Sequence, residues 1–125
     1  MESNFNFKNF SIVIPIFNEE EILEESTNAI FSLCKRMEID FEIIFSENGS
    51  TDKTKAIAEE LTNKHPEIKI ISNPEPNYGN ALKTGFKIAK NDLVVSFDID
   101  YYSESFLSEA LKLESEYSGI TASKR

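Results

Sequence analysis

Along the chain, five short apolar runs alternate with stretches of helical period. Residues 10–17 read FSIVIPIF, 41–45 FEIIF, 68–71 IKII, 93–97 LVVSF, and 119–122 form a weaker fifth run. Short runs this continuous, rich in β-branched residues, predict strands buried on both faces. Between the first two, residues 20–37 place Ile22, Ala29, Ile30, Leu33 and Met37 on one face of a 3.6-residue period. A second helix is predicted to open at the cap cluster Ser50-Thr51-Asp52 and to bury Ile57, Ala58 and Leu61. A third carries Leu82, Gly85, Phe86 and Ala89. A fourth follows Ser103, a natural N-cap, with Phe106, Leu107, Ala110, Leu111 and Tyr117. Pro66, Pro74 and Pro76 fall in connections, where a missing N–H costs little. Strands alternating with helices predict βαβ units: an α/β, Rossmann-like, mostly parallel sheet with helices on both faces. One such domain is expected to span residues 1–125, with no internal repeat or linker.

Composition narrows the function more than the fold. The chain has 125 residues, 13 basic and 22 acidic, for a formal net charge of -9. That balance argues against nucleic acid as a partner, since such binding needs a basic surface. Cys34 is the single cysteine and lies in a helical apolar stripe, so inert packing is expected rather than a disulfide or a thiolate metal site. His65, the single histidine, sits beside Pro66 in a polar connection; with no second His or Cys to partner it no zinc site is expected, and one loop histidine makes a poor base for a Ser-His-Asp or Cys-His set. No apolar run approaches the ~18 residues of a membrane span. A cytoplasmic location is expected.

In an open parallel sheet, ligands bind beyond the carboxyl ends of the strands. The residues that follow the predicted strands are Asn18-Glu19-Glu20, Ser46-Glu47-Asn48-Gly49-Ser50-Thr51-Asp52, Asn73 through Gly79, and Asp98-Ile99-Asp100. Asp98 and Asp100, one residue apart at a strand end, can approach one hard cation such as Mg²⁺ or Mn²⁺. An isolated pair of this kind equally fits a turn that starts the next helix. Asn48-Gly49 suits a positive-φ turn, and the hydroxyls after it would cap a helix whose N-terminus favours anions. An ordinary strand-to-helix turn would have the same composition. Asn77-Tyr78-Gly79-Asn80-Ala81 resembles a phosphate loop only loosely, lacking both G-x-G-x-x-G and G-x-x-x-x-G-K-[ST]. Gly79, Ala81 and Gly85 would let that helix approach the sheet closely, and Lys83 either faces a ligand or is solvated.

Three ordered segments together resemble family-2 glycosyltransferases, in particular the branch of dolichyl-phosphate sugar synthases. They are SIVIPIFNEEEIL at 11–23, FEIIFSENGSTDKT at 41–54 and NYGNALKTGFKIAKNDLVVSFDID at 77–100. The resemblance implies a GT-A fold, a nucleotide-diphosphate sugar donor (UDP- or GDP-linked) and inverting transfer. By matching positions it implies that Pro15, Phe17, Glu19, Glu47, Asn48, Asn77, Gly79 and Asp98 bind the nucleotide sugar. It likewise implies that Asp98 and Asp100 hold Mg²⁺ or Mn²⁺. The acceptor it implies is a hydroxyl or a lipid phosphate, with a location peripheral to the cytoplasmic membrane face. Phe17 stands where the family often has Tyr, and Asn48 where it commonly has a second Asp. The chain is also shorter than the family pattern, so a C-terminal part or a partner chain is expected to supply the acceptor site and the general base. Two readings compete with this one: a receiver-type signalling module, and an interaction domain that kept the fold without the chemistry.

Overall fold

The computed structural model of the chain describes residues 9–38, 40–73, 78–91, 93–96, 98–99 and 119–121. The elements run β1 (Asn9–Ile16), α1 (Leu23–Arg36), β2 (Asp40–Asn48), α2 (Thr54–Lys64), β3 (Ile68–Asn73), α3 (Tyr78–Ile88), β4 (Leu93–Ser96) and β5 (Gly119–Thr121). The expected fourth helix lies outside the described residues. All strand pairs are parallel, in the order β3-β2-β1-β4-β5. A receiver domain runs 2-1-3-4-5, whereas this order is the 3-2-1-4-5 of a dinucleotide-type sheet, so the receiver reading is overturned by topology. The direction of winding reverses between β1 and β4, and the crevice at such a switch point is where open α/β sheets bind ligands.

Registered side chains sort the two faces. Ile12 lies beside Ile43 and Val95, Ile14 beside Phe45, and Ile43 beside Ile68. With Phe10 and Ile16, these residues form one core with Leu23, Ile30, Phe31, Leu33, Cys34, Ala58 and Leu61 from α1 and α2. Ile12, Ile14, Ile43 and Phe45 are wholly buried, and each such side chain contributes roughly 1.5–3 kcal/mol relative to exposure. Phe31 adds an edge-to-face contact with Phe41, ring centroids 4.9 Å apart. Successive strand residues alternate faces, so Val13 and Ile44 point the other way, toward α3. There a Cβ on Gly85 would collide with Cγ1 of Val13, so a glycine is what allows α3 to lie against β1. Helices therefore cover both faces.

The α3 face is also polar, and it is closed at the amino end of the sheet by one buried carboxylate. Glu42 is 1% exposed; its Oε2 accepts a hydrogen bond from the Ser11 hydroxyl (2.6 Å) and from the Lys90 backbone N–H (2.7 Å). Lys69 Nζ stands 3.0 Å from Oε1. The Asn91 N–H donates to the Ser11 hydroxyl oxygen (3.0 Å), and the Asn91 amide donates to the Phe10 carbonyl (2.9 Å). Four segments, β1, β2, β3 and the α3–β4 connection, thus meet at Glu42. Burial alone would raise its pKa, but the donors around it and the Lys69 charge hold it below the ordinary value.

Several boundaries differ from the pattern reading. Helix α1 starts at Leu23, not at residue 20, because Glu19 to Ile22 form a turn in which the Ile22 and Leu23 N–H groups donate to the Glu19 carbonyl. Strand β2 runs on through Ser46, Glu47 and Asn48, which keep parallel register with Ile71, Ser72 and Asn73 of β3. Phe17 lies past the end of β1 and is 41% exposed, and Phe86 on α3 is 38% exposed, so neither belongs to the core.

Candidate functional site

At the carboxyl edge, the loops after β1 and β2 are joined by their own polar groups. Asn18 adopts a left-handed backbone (φ 52°), and Gly49 does the same at the predicted turn (φ 76°). Asn tolerates that region better than most residues with a Cβ. From there the Asn18 N–H donates to the Ser50 hydroxyl (3.0 Å), and Asn18 Oδ1 accepts from the Thr51 N–H (2.9 Å). One residue on, the Glu19 N–H donates to the Thr54 hydroxyl (2.7 Å). The Glu20 N–H reaches Asp52 at 3.4 Å, and the Lys53 N–H donates back to the Glu20 carboxylate (2.9 Å).

This geometry corrects the reading of Ser50-Thr51-Asp52 as a plain helix cap open to an anion. The residue preceding α2 is Lys53, which makes no side-chain cap bond. Ser50 and Thr51 face Asn18 instead, and the first N–H groups near α2 are met by the protein's own carboxylates, Lys53 by Glu20 and Thr54 by Asp52 (2.8 Å). Burial pushes the Asp52 carboxyl up, but the Thr54 and Glu20 donors outweigh it and hold the group below the ordinary Asp range. The open groove beside the clasp, about 310 Å³, is lined by Asn18, Glu19, Glu20, Glu21, Ile22 and Asp52. Four acidic side chains make it hostile to a phosphate.

The expected site residues fall as follows. Pro15 is buried in β1, opposite Ser46, and among the described residues the ladder from β1 to β4 runs to Val13↔Ser96, two residues before it. Asp98 stands two residues beyond Ser96, so it and Pro15 flank the switch point; Asp98 is half-buried, next to the wholly buried Ile99. Phe17 is exposed at the rim and Glu19 is held by its backbone. Glu47 and Asn48 are 2% and 6% exposed, at the end of β2 and not in a free loop. The Glu47 carboxylate accepts the Ser50 N–H. Gly79 is exposed in the first turn of α3. Asn77 and Asp100 lie outside the described residues.

Two further residues at this edge were not among the expected binders. Asn73, 8% exposed at the end of β3, donates from Nδ2 to the Ser46 hydroxyl (3.3 Å). Its Oδ1 accepts from Asn80 of α3 at 3.5 Å. These asparagines link β2, β3 and the start of α3 beside Glu47. The sequence signal for them was only an amide at a strand end and another at a helix start. Among the described residues no three His, Cys, Asp or Glu side chains gather as a metal cage. Of the predicted Asp98 and Asp100 pair, Asp98 is half-buried just beyond β4, a hard oxygen donor of the kind Mg²⁺ and Mn²⁺ accept.

A parallel sheet of this order, with amides and carboxylates at the carboxyl ends of its first four strands, defines an open, doubly wound α/β domain. Residues 11–114 match the profile of glycosyl transferase family 2, and the chain belongs to that family. Over 92 residues it is 36% identical to the undecaprenyl-phosphate 4-deoxy-4-formamido-L-arabinose transferase of Proteus mirabilis (strain HI4320), covering 72% of this chain and 28% of that protein. The enzyme of the same name from Pseudomonas fluorescens (strain Pf0-1) is 36% identical over 94 residues, covering 72% and 27%. The chain therefore spans less than a third of these relatives. In fold it is similar to the mannosyltransferase PcManGT from Pyrobaculum calidifontis, solved with GDP-Man and Mn²⁺ (TM-score 0.67, 23% identity, 82% of this chain and 31% of that one). It is also similar to S. aureus TarS 1-349, solved with UDP-GlcNAc (TM-score 0.66, 24% identity, 86% and 31%). The fold is thus that of the GT-A glycosyltransferases. Among the described residues no helix is long and apolar enough to cross a membrane.

Proposed function

We propose that this chain is the donor-binding part of a glycosyltransferase that moves a sugar from a nucleoside diphosphate to a lipid phosphate. The observation that carries the reading is the family match over residues 11–114, with relatives whose named acceptor is undecaprenyl phosphate. The polar strand ends at the β1/β4 switch point support it, because that is where such a sheet receives a ligand. In this reading Pro15, Phe17, Glu19, Asn77 and Gly79 border the nucleotide sugar. Glu47 and Asn48 read the base edge from the end of β2. Asp98 and Asp100 would hold Mg²⁺ or Mn²⁺, which when bound supplies positive charge beside the departing diphosphate. An acceptor phosphate oxygen attacks the anomeric carbon as the bond to the nucleoside diphosphate breaks. The acceptor site and any general base come from further chain or from a partner. A place at the cytoplasmic face of a membrane follows from a lipid acceptor.

Calorimetric titration with UDP and GDP, with and without Mn²⁺, tests this directly. Metal-dependent binding of one nucleotide, weakened at least about tenfold by Asp98→Ala and by Asp100→Ala, is the expected result; one lost charged contact accounts for that factor. A folded chain that binds neither nucleotide in either condition overturns the donor reading.

A further inference from the structure

We infer that Asn18 and Ser50 are positioning residues that orient Glu47 and so govern which base the site accepts, an inference that rests on the donor-site reading above. Glu47 is almost fully buried, at the last turn of the ladder, beside Ile16 of β1 and Ser72 of β3. A buried carboxylate on a strand end has little freedom beyond the direction in which its two oxygens point. That direction is set by the Ser50 N–H, which donates to Oε2. Ser50 is in turn held by the Asn18 N–H, donated to its hydroxyl (3.0 Å). Asn18 closes the ring from the other side, its Oδ1 receiving the Thr51 N–H (2.9 Å) and the Thr51 hydroxyl (3.5 Å).

The relay runs from the β1 loop through Ser50 to the carboxylate, and it needs two left-handed residues, Asn18 and Gly49, to bring the donors round. Asn18 itself reaches no base in this scheme. It acts through Ser50, whose N–H would otherwise drift from the carboxylate. A site built from buried hydrogen-bonding groups discriminates strongly only while those groups are correctly aimed. Disturbing the relay should therefore cost more for the preferred base than for the other. A tie that merely held the fold would weaken both alike.

The experiment measures dissociation constants for UDP and GDP, with Mn²⁺, on the wild type and on Asn18→Ala, Asn18→Asp and Ser50→Ala, with thermal unfolding of each. Asn18→Ala loses the acceptor and strains the backbone, whereas Asn18→Asp keeps an acceptor and tolerates positive φ. Ser50→Ala removes only the hydroxyl that takes the Asn18 N–H and imposes no backbone strain, so it remains informative if Asn18→Ala fails to fold. Expected is a loss of about tenfold for the preferred nucleotide in Asn18→Ala and Ser50→Ala, about twofold or less for the other, and near-complete recovery in Asn18→Asp; tenfold is the effect of one ordinary hydrogen bond. Equal losses for both nucleotides, or unchanged affinities in folded variants, would overturn the positioning role while leaving the donor reading intact. A wild type that binds neither nucleotide overturns both.

Discussion

Replacing Glu42 with Gln tests the buried latch at the amino end of the sheet. The carboxylate accepts two hydrogen bonds on Oε2, from Ser11 at 2.6 Å and from the Lys90 N–H at 2.7 Å, and pairs through Oε1 with Lys69 at 3.0 Å. An amide fits the same space but carries no charge, and its NH₂ would face the Lys69 ammonium. Hydrogen bonds to a charged group are worth about 1.5–3 kcal/mol against about 0.5–1.5 kcal/mol for neutral ones, so the two Oε2 bonds together lose about 2–3 kcal/mol. Because the Lys69 side chain is 46% exposed, its ion pair adds no more than about 1 kcal/mol. Glu42→Gln should therefore destabilise the chain by about 2–4 kcal/mol at pH 7.

The same perturbation has a signed pH dependence. The folded pKa of Glu42 lies below its ordinary 4.5, so the stabilisation is fully present above 4.5 and is lost as pH falls through the folded value. Urea unfolding followed by circular dichroism at pH 7, 5 and 3 should show a gap between wild type and variant that is constant from 7 to 5 and narrows at 3. Slopes against urea should be unchanged, since the exposed surface is the same. A gap under about 0.5 kcal/mol at pH 7, or one that does not narrow in acid, would refute the assignment of the latch to an ionised Glu42.

Gly85→Ala should destabilise by about 1–2 kcal/mol in the same assay: overpacking against Val13 outweighs the gain in helix propensity, and a neutral or stabilising result would mean that α3 can move off the sheet. The buried Cys34 thiol, its pKa pushed up to about 12 by desolvation, should resist maleimide labelling at pH 8 until denaturant unfolds the chain. Labelling of the native protein at the rate of a free thiol would contradict its burial.

Much of the fold was legible because the first four strands are too apolar and too short to be anything else, and because residues 22–37 carry an unbroken helical stripe. The strand ends were less legible. Ser46, Glu47 and Asn48 look like loop by composition, yet β3 supplies register partners for all of them, and pairing with a neighbour cannot be seen in one strand's own pattern. Phe17 and Phe86 misled in the opposite direction, being apolar residues that periodicity assigns to the interior and the structure leaves at the surface. At the candidate site, the residues that the sequence singled out, Asn18-Glu19-Glu20, Glu47-Asn48 and Asp98, do lie together along the carboxyl edge of the sheet. It did not show that Ser50 and Thr51 face another loop rather than their own helix, or that Asp52 meets that loop as well as the Thr54 N–H of α2, because the cross-loop contacts join residues more than thirty positions apart. Strand order was likewise out of reach, and it sets this sheet apart from that of a receiver domain.

The clasp between the β1 and β2 loops also determines how this domain could be recombined. Each loop supplies both donors and acceptors to the other, with Asn18 and Glu20 giving and receiving on one side and Ser50 to Thr54 on the other. Neither loop is a self-contained cassette. A graft from another protein that replaces residues 17–22 alone would leave the recipient's Ser50, Thr51 and Lys53 facing strangers, and the reverse graft of 47–54 would do the same to Asn18 and Glu19. Chimeras should move the two loops together, as a single module whose halves are separated in sequence by α1 and most of β2, which can stay behind.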